Sequence, residues 1–250
     1  MAKTKFLQAE WRNLLMLNYE VDPAILKPYL PPGTVLDLWQ GKALVSMVGF
    51  MFLNTRVLGI QWPFHVNFEE VNLRFYVKYF DGNEWKRGAV FISEIVPKPM
   101  ISLIANSLYK EHYSAMPMRH SVNELPEGQT QYLYEWKLDG RWNRLGGTIG
   151  KLSAIEPGSP EEFIFEHYWG YNKTSETTTN EYQVEHIRWN AAQVTDAIFD
   201  ADIIKLYGKE FEPYLSVKPY SAFFADGSEV VVRAAGKIRL DPALPVSPVL

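Results

Sequence analysis

The 250-residue chain contains no cysteine. That absence excludes disulfides, zinc–thiolate sites, iron–sulfur clusters and thiol nucleophiles together. Positive charge is also sparse: 25 Lys and Arg stand against 29 Asp and Glu, for a net charge of -4, and no basic run interrupts that balance. Phosphate backbones therefore meet no attracting field, and no nucleic-acid partner is expected. Long apolar runs are missing as well, since the longest, 43–53, includes Ser46 and Gly49, well short of the roughly 18 residues needed to cross a bilayer. Near the N-terminus Glu10 and Arg12 interrupt the only stretch that could resemble a leader. A soluble, cytoplasmic protein without a membrane partner is the expectation. The five histidines, His65, His112, His120, His167 and His186, show none of the close spacings that assemble a metal site. Gly146, Gly147 and Gly150 sit in a strand-like stretch rather than before a helix, and no Gly-x-Ser-x-Gly elbow occurs. Neither a metal nor another cofactor is expected.

What the chain does have is aromatic mass: 14 Phe, 14 Tyr and 8 Trp. Flat side chains suit a pleated surface, so this excess favours strands. Asp-Gly pairs at Asp81-Gly82, Asp139-Gly140 and Asp226-Gly227 predict three hairpins. Strands are expected at 12–19, 44–54, 66–79, 87–95, 131–139, 142–155, 182–189 and 229–240. Strands this long suggest a coiled sheet or a barrel. Helices are few. Asp22-Pro23 opens one over 24–30, Pro99 a second to about Tyr113, Ser159-Pro160-Glu161-Glu162 a third toward His167, and 200–211 is amphipathic. The polar segment 173–180 and the Pro-rich tail 241–250 are the linker-like stretches. One domain over 1–250 is the expected organisation, mostly β (α+β), with three or four short peripheral helices.

Chemistry concentrates in one alternating segment. Val71, Leu73, Phe75, Val77 and Tyr79 share a face, and Glu70, Asn72, Arg74, Tyr76 and Lys78 share the other. On an open sheet the second face is solvated surface. On a closed sheet it lines a cavity, with Glu70 and Arg74 paired, and would recognise a small polar or carboxylate-bearing ligand. The cluster His167-Tyr168-Trp169-Gly170-Tyr171 combines apolar bodies with polar tips, which suits either interior packing or a ligand. Lys98, between two prolines, is a solvated loop residue or, if held near apolar surroundings, an amine nucleophile for carbonyl substrates.

Several segments in order resemble one family. The run 11–23 (WRNLLMLNYEVDP) with Leu30-Pro31-Pro32-Gly33, then Glu70-Val71-Asn72-Leu73-Arg74-Phe75, Arg87-Gly88, Glu166-His167-Tyr168-x-x-Tyr171 and Val184-x-His186-x-x-Trp189 are similar to the uncharacterised YqjF-like proteins. These in turn resemble acetoacetate decarboxylase. The resemblance implies a coiled antiparallel sheet forming a barrel around a buried pocket. In the decarboxylase a lysine of a Pro-Lys-Lys motif forms a Schiff base with a β-keto acid. A local match sets Pro97-Lys98 on that motif, whereas the register that preserves the strand-helix order puts His112-Tyr113-Ser114 there, with Tyr113 in place of the amine. The family's substrate-binding arginine falls near Glu10, with Arg12 two residues on and on the same strand face. The expectation is a small organic acid or carbonyl ligand, bound or transformed, with Glu70, Tyr113 and Lys98 as candidate catalytic groups. Arg12, Asn72, Arg74, Tyr76, His167 and Tyr171 are the candidate binding groups. Schiff-base lyase chemistry through Lys98 and a non-catalytic binding protein are the alternatives. The sequence leaves the oligomeric state open, a homo-oligomer included.

Overall fold

A computed structural model describes residues 4–99 and 112–240. Its strands are β1 (Lys5–Val21), β2 (Val35–Leu36), β3 (Ala43–Val57), β4 (Phe68–Phe80), β5 (Trp85–Val96), β6 (Tyr113–Ala115), β7 (Met118–Glu124) and β8 (Thr130–Leu138). They continue with β9 (Arg141–Ile149), β10 (Ser153–Ala154), β11 (Trp169–Ser175), β12 (Thr178–His186), β13 (Asn190–Asp200), β14 (Ser221–Arg233) and β15 (Gly236–Arg239). The described α-helices are short: α1 (Pro23–Leu26), α2 (Pro160–Phe165), α3 (Ile203–Tyr207) and α4 (Glu212–Leu215). Asp22 and Ser159 cap α1 and α2 by accepting from the amides of Ala24 and Glu162, as their sequence pattern requires. The expected helix over 200–211 is split, because Gly208 at φ 104° ends α3 and α4 starts afresh at Glu212. Most of the helix expected from Pro99 lies outside the described residues; its expected end, Tyr113, is in β6 instead.

All the strands belong to one sheet. Its path runs β12-β11-β5-β4-β3-β1-β14, and a further β12–β14 pairing brings the path back on itself as a ring. From β14 the sheet also continues as an arm, β13-β9-β8-β7. β14 serves both: Ala225 to Phe223 pair with β13, and Val230 to Val232 pair with β12. Between those stretches lies Asp226-Gly227, which is therefore a bend inside a strand and not the expected hairpin. Asp81-Gly82 and Asp139-Gly140 do connect antiparallel neighbours, β4 to β5 and β8 to β9. Asp139 and Gly140, at φ 49° and 84°, form the two-residue turn whose twist matches its strands. The linker-like segment 173–180 is the β11–β12 hairpin, and the strand expected at 182–189 ends at His186.

Two hydrophobic cores follow from strand alternation. On the outer face Leu15, Leu17, Val45, Met47, Leu73 and Phe75 pack with Tyr134, Trp136 and Leu145 of the arm and with Tyr207 and Phe211. On the inner face Leu14, Met16, Val48, Phe50, Phe52 and Phe68 meet Phe163, Ile164 and Phe165 of α2. A buried polar chain crosses four strands. The Tyr76 hydroxyl and Ser46 Oγ are 2.6 Å apart, Ser46 Oγ donates to Asn18 Oδ1 at 2.6 Å, and Asn18 Nδ2 donates to Ser221 Oγ at 3.1 Å. With the Ser46 hydrogen given to Asn18, Tyr76 must be the donor at the other end.

The bend in β14 depends on one glycine. Gly227 has φ 80°, its carbonyl accepts from Arg12 Nη1 at 3.0 Å, and a Cβ there would stand 1.9 Å from the Trp11 carbonyl oxygen. Backbone on both sides prevents relief. Gly227→Ala should cost at least about 3 kcal/mol, against about 1 kcal/mol for Gly82→Ala, where φ is 101° but nothing lies within 4 Å. Denaturant titration of both variants checks this, and equal losses would mean that β14 bends elsewhere.

Candidate functional site

A cavity of about 240 Å³ lies inside the ring, and each of the seven ring strands contributes to its wall. Most of that wall is apolar, with aromatic side chains from Trp11, Phe50, Phe52, Phe68, Phe91 and Trp169 among its aliphatic ones. Six polar side chains gather in one group, Glu70, Asn72 and Arg74 from β4, Glu94 from β5, Tyr113 from β6 and His167 after α2, while Thr55 and His65 line the wall at the end of β3 and beyond it. Glu70, Asn72 and Glu94 are no more than 3% exposed. The polar face of β4 is thus interior, not a solvated surface.

Strict alternation alone does not produce this lining. Three ring strands carry an extra residue that switches which face the following side chains occupy. In β1, Asn13 at φ 59° lies where Arg12 and Leu15 pair with Met51 and Gly49, so Trp11 and Leu14 both reach the cavity. In β3, Asn54 at φ 54° does the same between Phe52 and Thr55. In β5 the extra residue falls near Ile92, where Leu73 pairs with Ser93 but Arg74 with Phe91. Phe91 and Glu94 then share the cavity face, with Glu94 directly across from Asn72.

Glu70 accepts from Asn72 Nδ2 at 2.9 Å and from the Tyr113 hydroxyl at 3.0 Å. Burial pushes its carboxyl up to about 7, although the two hydrogen bonds and the Arg74 charge pull the other way. Arg74 does not form the expected ion pair with Glu70. Its Nη2 makes only long contacts, 3.5 Å to Met16 Sδ and 3.5 Å to the Ile164 carbonyl, and its buried Nε has no partner among the described residues. Asn72 Oδ1 is in the same state. His167, buried, has its pKa lowered to about 4 by desolvation, opposed by its hydrogen bond to Asp37. The neutral ring donates Nε2–H to Asp37 Oδ2 at 3.2 Å, leaving Nδ1 as an unpartnered acceptor. Asp37 also accepts from Arg87 Nε at 2.6 Å. Burial raises its carboxyl, but the bonds from His167 and Arg87 outweigh that and hold it below the ordinary range.

The remaining candidates are placed elsewhere. Tyr76 stands behind the site, its ring 4.5 Å from that of His167 and its hydroxyl committed to Ser46. Tyr171 is buried in the outer core, 3.4 Å from Glu181 Oε1. Arg12 points away from the cavity because its neighbour Trp11 points in; it is held by Glu10 at 2.7 and 2.9 Å. Lys98, half-buried just beyond β5, is not part of the described lining. Sequence reasoning missed Glu94 and Asp37: the bulge hides the first from an alternating pattern, and the second becomes relevant only through a contact 130 positions away. Among the described residues no group of three His, Asp or Glu side chains could hold a metal ion, and no helix is long and apolar enough to cross a membrane.

A ring-shaped, mostly β sheet with a few short helices is the fold of acetoacetate-decarboxylase-like enzymes. The acetoacetate decarboxylase of Legionella pneumophila superposes with a TM-score of 0.62 at 14% identity, over 93% of this chain and 87% of that one. An acetoacetate decarboxylase-like enzyme from Sphingomonas wittichii RW1 gives 0.64 at 14% identity, over 94% of each chain. The enduracididine biosynthesis enzyme MppR complexed with pyruvate gives 0.63 at 14% identity, over 95% and 91%. At such identities the likeness is one of fold. By sequence, the chain belongs to the DUF2071 family of uncharacterized conserved proteins, which matches residues 8–229. The uncharacterized protein YqjF of Bacillus subtilis (strain 168) is 30% identical over 118 residues, 47% of this chain and 47% of that protein.

Glu70 gives a pH-dependent prediction. Its folded-state pKa, near 7, exceeds the ordinary 4.5, so the folded state binds protons more tightly than the unfolded one, and stability falls as pH rises through that window. Glu70→Gln should therefore gain stability relative to the wild type between pH 4.5 and 7, by on the order of 3 kcal/mol at most. Urea denaturation at pH 5 and pH 8 measures the difference. A stability gap that does not change with pH would show that Glu70 ionises like a solvated carboxyl.

Proposed function

We propose that the ring cavity binds a small organic acid or carbonyl compound, and that the Glu70–Tyr113 pair can exchange a proton with it. The observation that carries this reading is the Arg74 guanidinium, set in a mostly apolar wall with an unpartnered buried Nε. Buried donors of this kind are ordinarily satisfied, and a carboxylate or carbonyl oxygen supplies the missing acceptor. Asn72 Oδ1 and His167 Nδ1 are acceptors in the same group, suited to a hydroxyl or enol on the bound molecule. A carboxyl near its midpoint at neutral pH, hydrogen-bonded to a phenol, fits general acid–base work better than a fully ionised one. The solved complex of MppR with pyruvate supports the choice of a keto acid as probe.

The alternative through Lys98 is less well supported, since Lys98 is not among the described lining residues. Borohydride reduction in the presence of pyruvate or acetoacetate should leave no adduct on Lys98 in a peptide mass spectrum; an adduct there would restore the Schiff-base reading.

Calorimetric titration with pyruvate and acetoacetate tests the main proposal. Arg74→Met should weaken binding by roughly 10- to 100-fold, the value of a lost charge-assisted contact. Affinity should hold at pH 6 and fall above pH 7, by up to about tenfold per unit, as the Glu70 negative charge appears beside the bound anion. Glu70→Gln should flatten that dependence. Unchanged affinity in Arg74→Met would remove the guanidinium as the anchor.

A further inference from the structure

The cavity is far more apolar than a two- or three-carbon acid needs. Its main polar group comes from one region, β4 with the adjoining positions of β5 and β6 and His167; apart from Thr55 and His65 the rest is apolar, and Trp11, Phe50, Phe52, Phe91 and Trp169 supply wall that a carboxylate cannot use. At about 30 Å³ of liquid per water molecule, a cavity of about 240 Å³ has room for about eight waters. It is only a little below the roughly 300 Å³ at which pockets for drug-sized ligands begin. The apolar lining also continues outward. Val57 and Trp62 belong to the wall, and beside them Leu58, Ile60 and Phe64 are 64%, 53% and 88% exposed. Between Thr55 and Asn67 the chain has no acidic residue. Apolar side chains therefore lead from the surface to the aromatic wall, with Thr55 and His65 beside them.

We infer that the ligand is an amphipathic acid, with its carboxylate at Arg74, any hydroxyl or enol of the head toward the acceptors Asn72 Oδ1 and His167 Nδ1, and an aromatic-sized apolar body against the aromatic residues of the wall. This rests on the acid-binding reading above and adds the part of the molecule that sets specificity. A short acid would leave the aromatic wall facing water, whereas a phenyl group in the same place removes both surfaces from solvent.

Three pairs of acids with a common head separate the two readings: pyruvate with 3-phenylpyruvate, lactate with 3-phenyllactate, and propionate with 3-phenylpropionate. Each is titrated calorimetrically into the wild-type chain. The phenyl member of each pair should bind roughly 10- to 100-fold more tightly, the worth of burying one phenyl group. In Ala89→Leu, which adds bulk at a small lining residue, that advantage should shrink while the short acids keep their affinity. Equal or tighter binding of the short acids overturns this inference and leaves the acid-binding reading standing. A phenyl advantage undiminished in Ala89→Leu places the body outside the cavity and overturns it as well. Heat from none of the six acids at millimolar concentration removes the acid-binding reading and this inference with it.

Discussion

Ring closure is the constraint on which the rest depends. Strands of regular pleat cannot curve far enough for β12 to meet β14 as well as β11, so the chain must bend at defined places. It does so at Asn13, Asn54, near Ile92 and at Gly227. Each extra residue also moves the following side chains to the opposite face, and the bends that close the ring thereby choose its lining. Trp11 and Leu14, Phe52 and Thr55, Phe91 and Glu94 enter the cavity in pairs that straddle a bend. Architecture and site are consequences of the same few backbone irregularities.

Within that ring the electrostatics are asymmetric. A carboxyl and a guanidinium on the same strand face could have neutralised each other, yet Glu70 is satisfied by an amide and a phenol while Arg74 keeps an unpartnered nitrogen. Desolvation discourages ionisation of the carboxyl but cannot remove the guanidinium charge. The positive end of the site is thus left available. Asp37 contributes from behind by fixing which imidazole nitrogen of His167 carries the hydrogen, and Arg87 holds Asp37 ionised.

Much of this was legible in the sequence, and the limits are physical. The long strand β4 could be read because it is regular: with no bulge of its own, its alternation set Glu70, Asn72 and Arg74 on one face, and both core clusters followed from it. The caps at Asp22 and Ser159 are local chemistry and were equally readable. The Asp226-Gly227 pair misled because its glycine serves a left-handed bend shared by two partner strands rather than a two-residue turn, and the residues alone do not distinguish these. The family resemblance points to Arg12 as a binding group through its place two residues beyond Glu10, but the strand turns its neighbour Trp11 to the cavity instead. Glu94 and Asp37 depend on a register shift and on a contact across most of the chain. Neither leaves a mark in its own neighbourhood.

The polar chain from Tyr76 through Ser46 and Asn18 to Ser221 acts as a gauge for strand alignment. It needs β4, β3, β1 and β14 at one mutual setting, because each hydroxyl or amide has its partner on the adjacent strand. If β3 slipped by a single position, Ser46 would turn to the other face, and Asn18 Oδ1 and the Tyr76 hydroxyl would lie dry among apolar side chains such as Leu14 and Met16. The apolar residues around them would tolerate such a slip far better, since one aliphatic contact replaces another. Four small polar groups therefore discriminate against misaligned sheets that the hydrophobic pattern alone would accept.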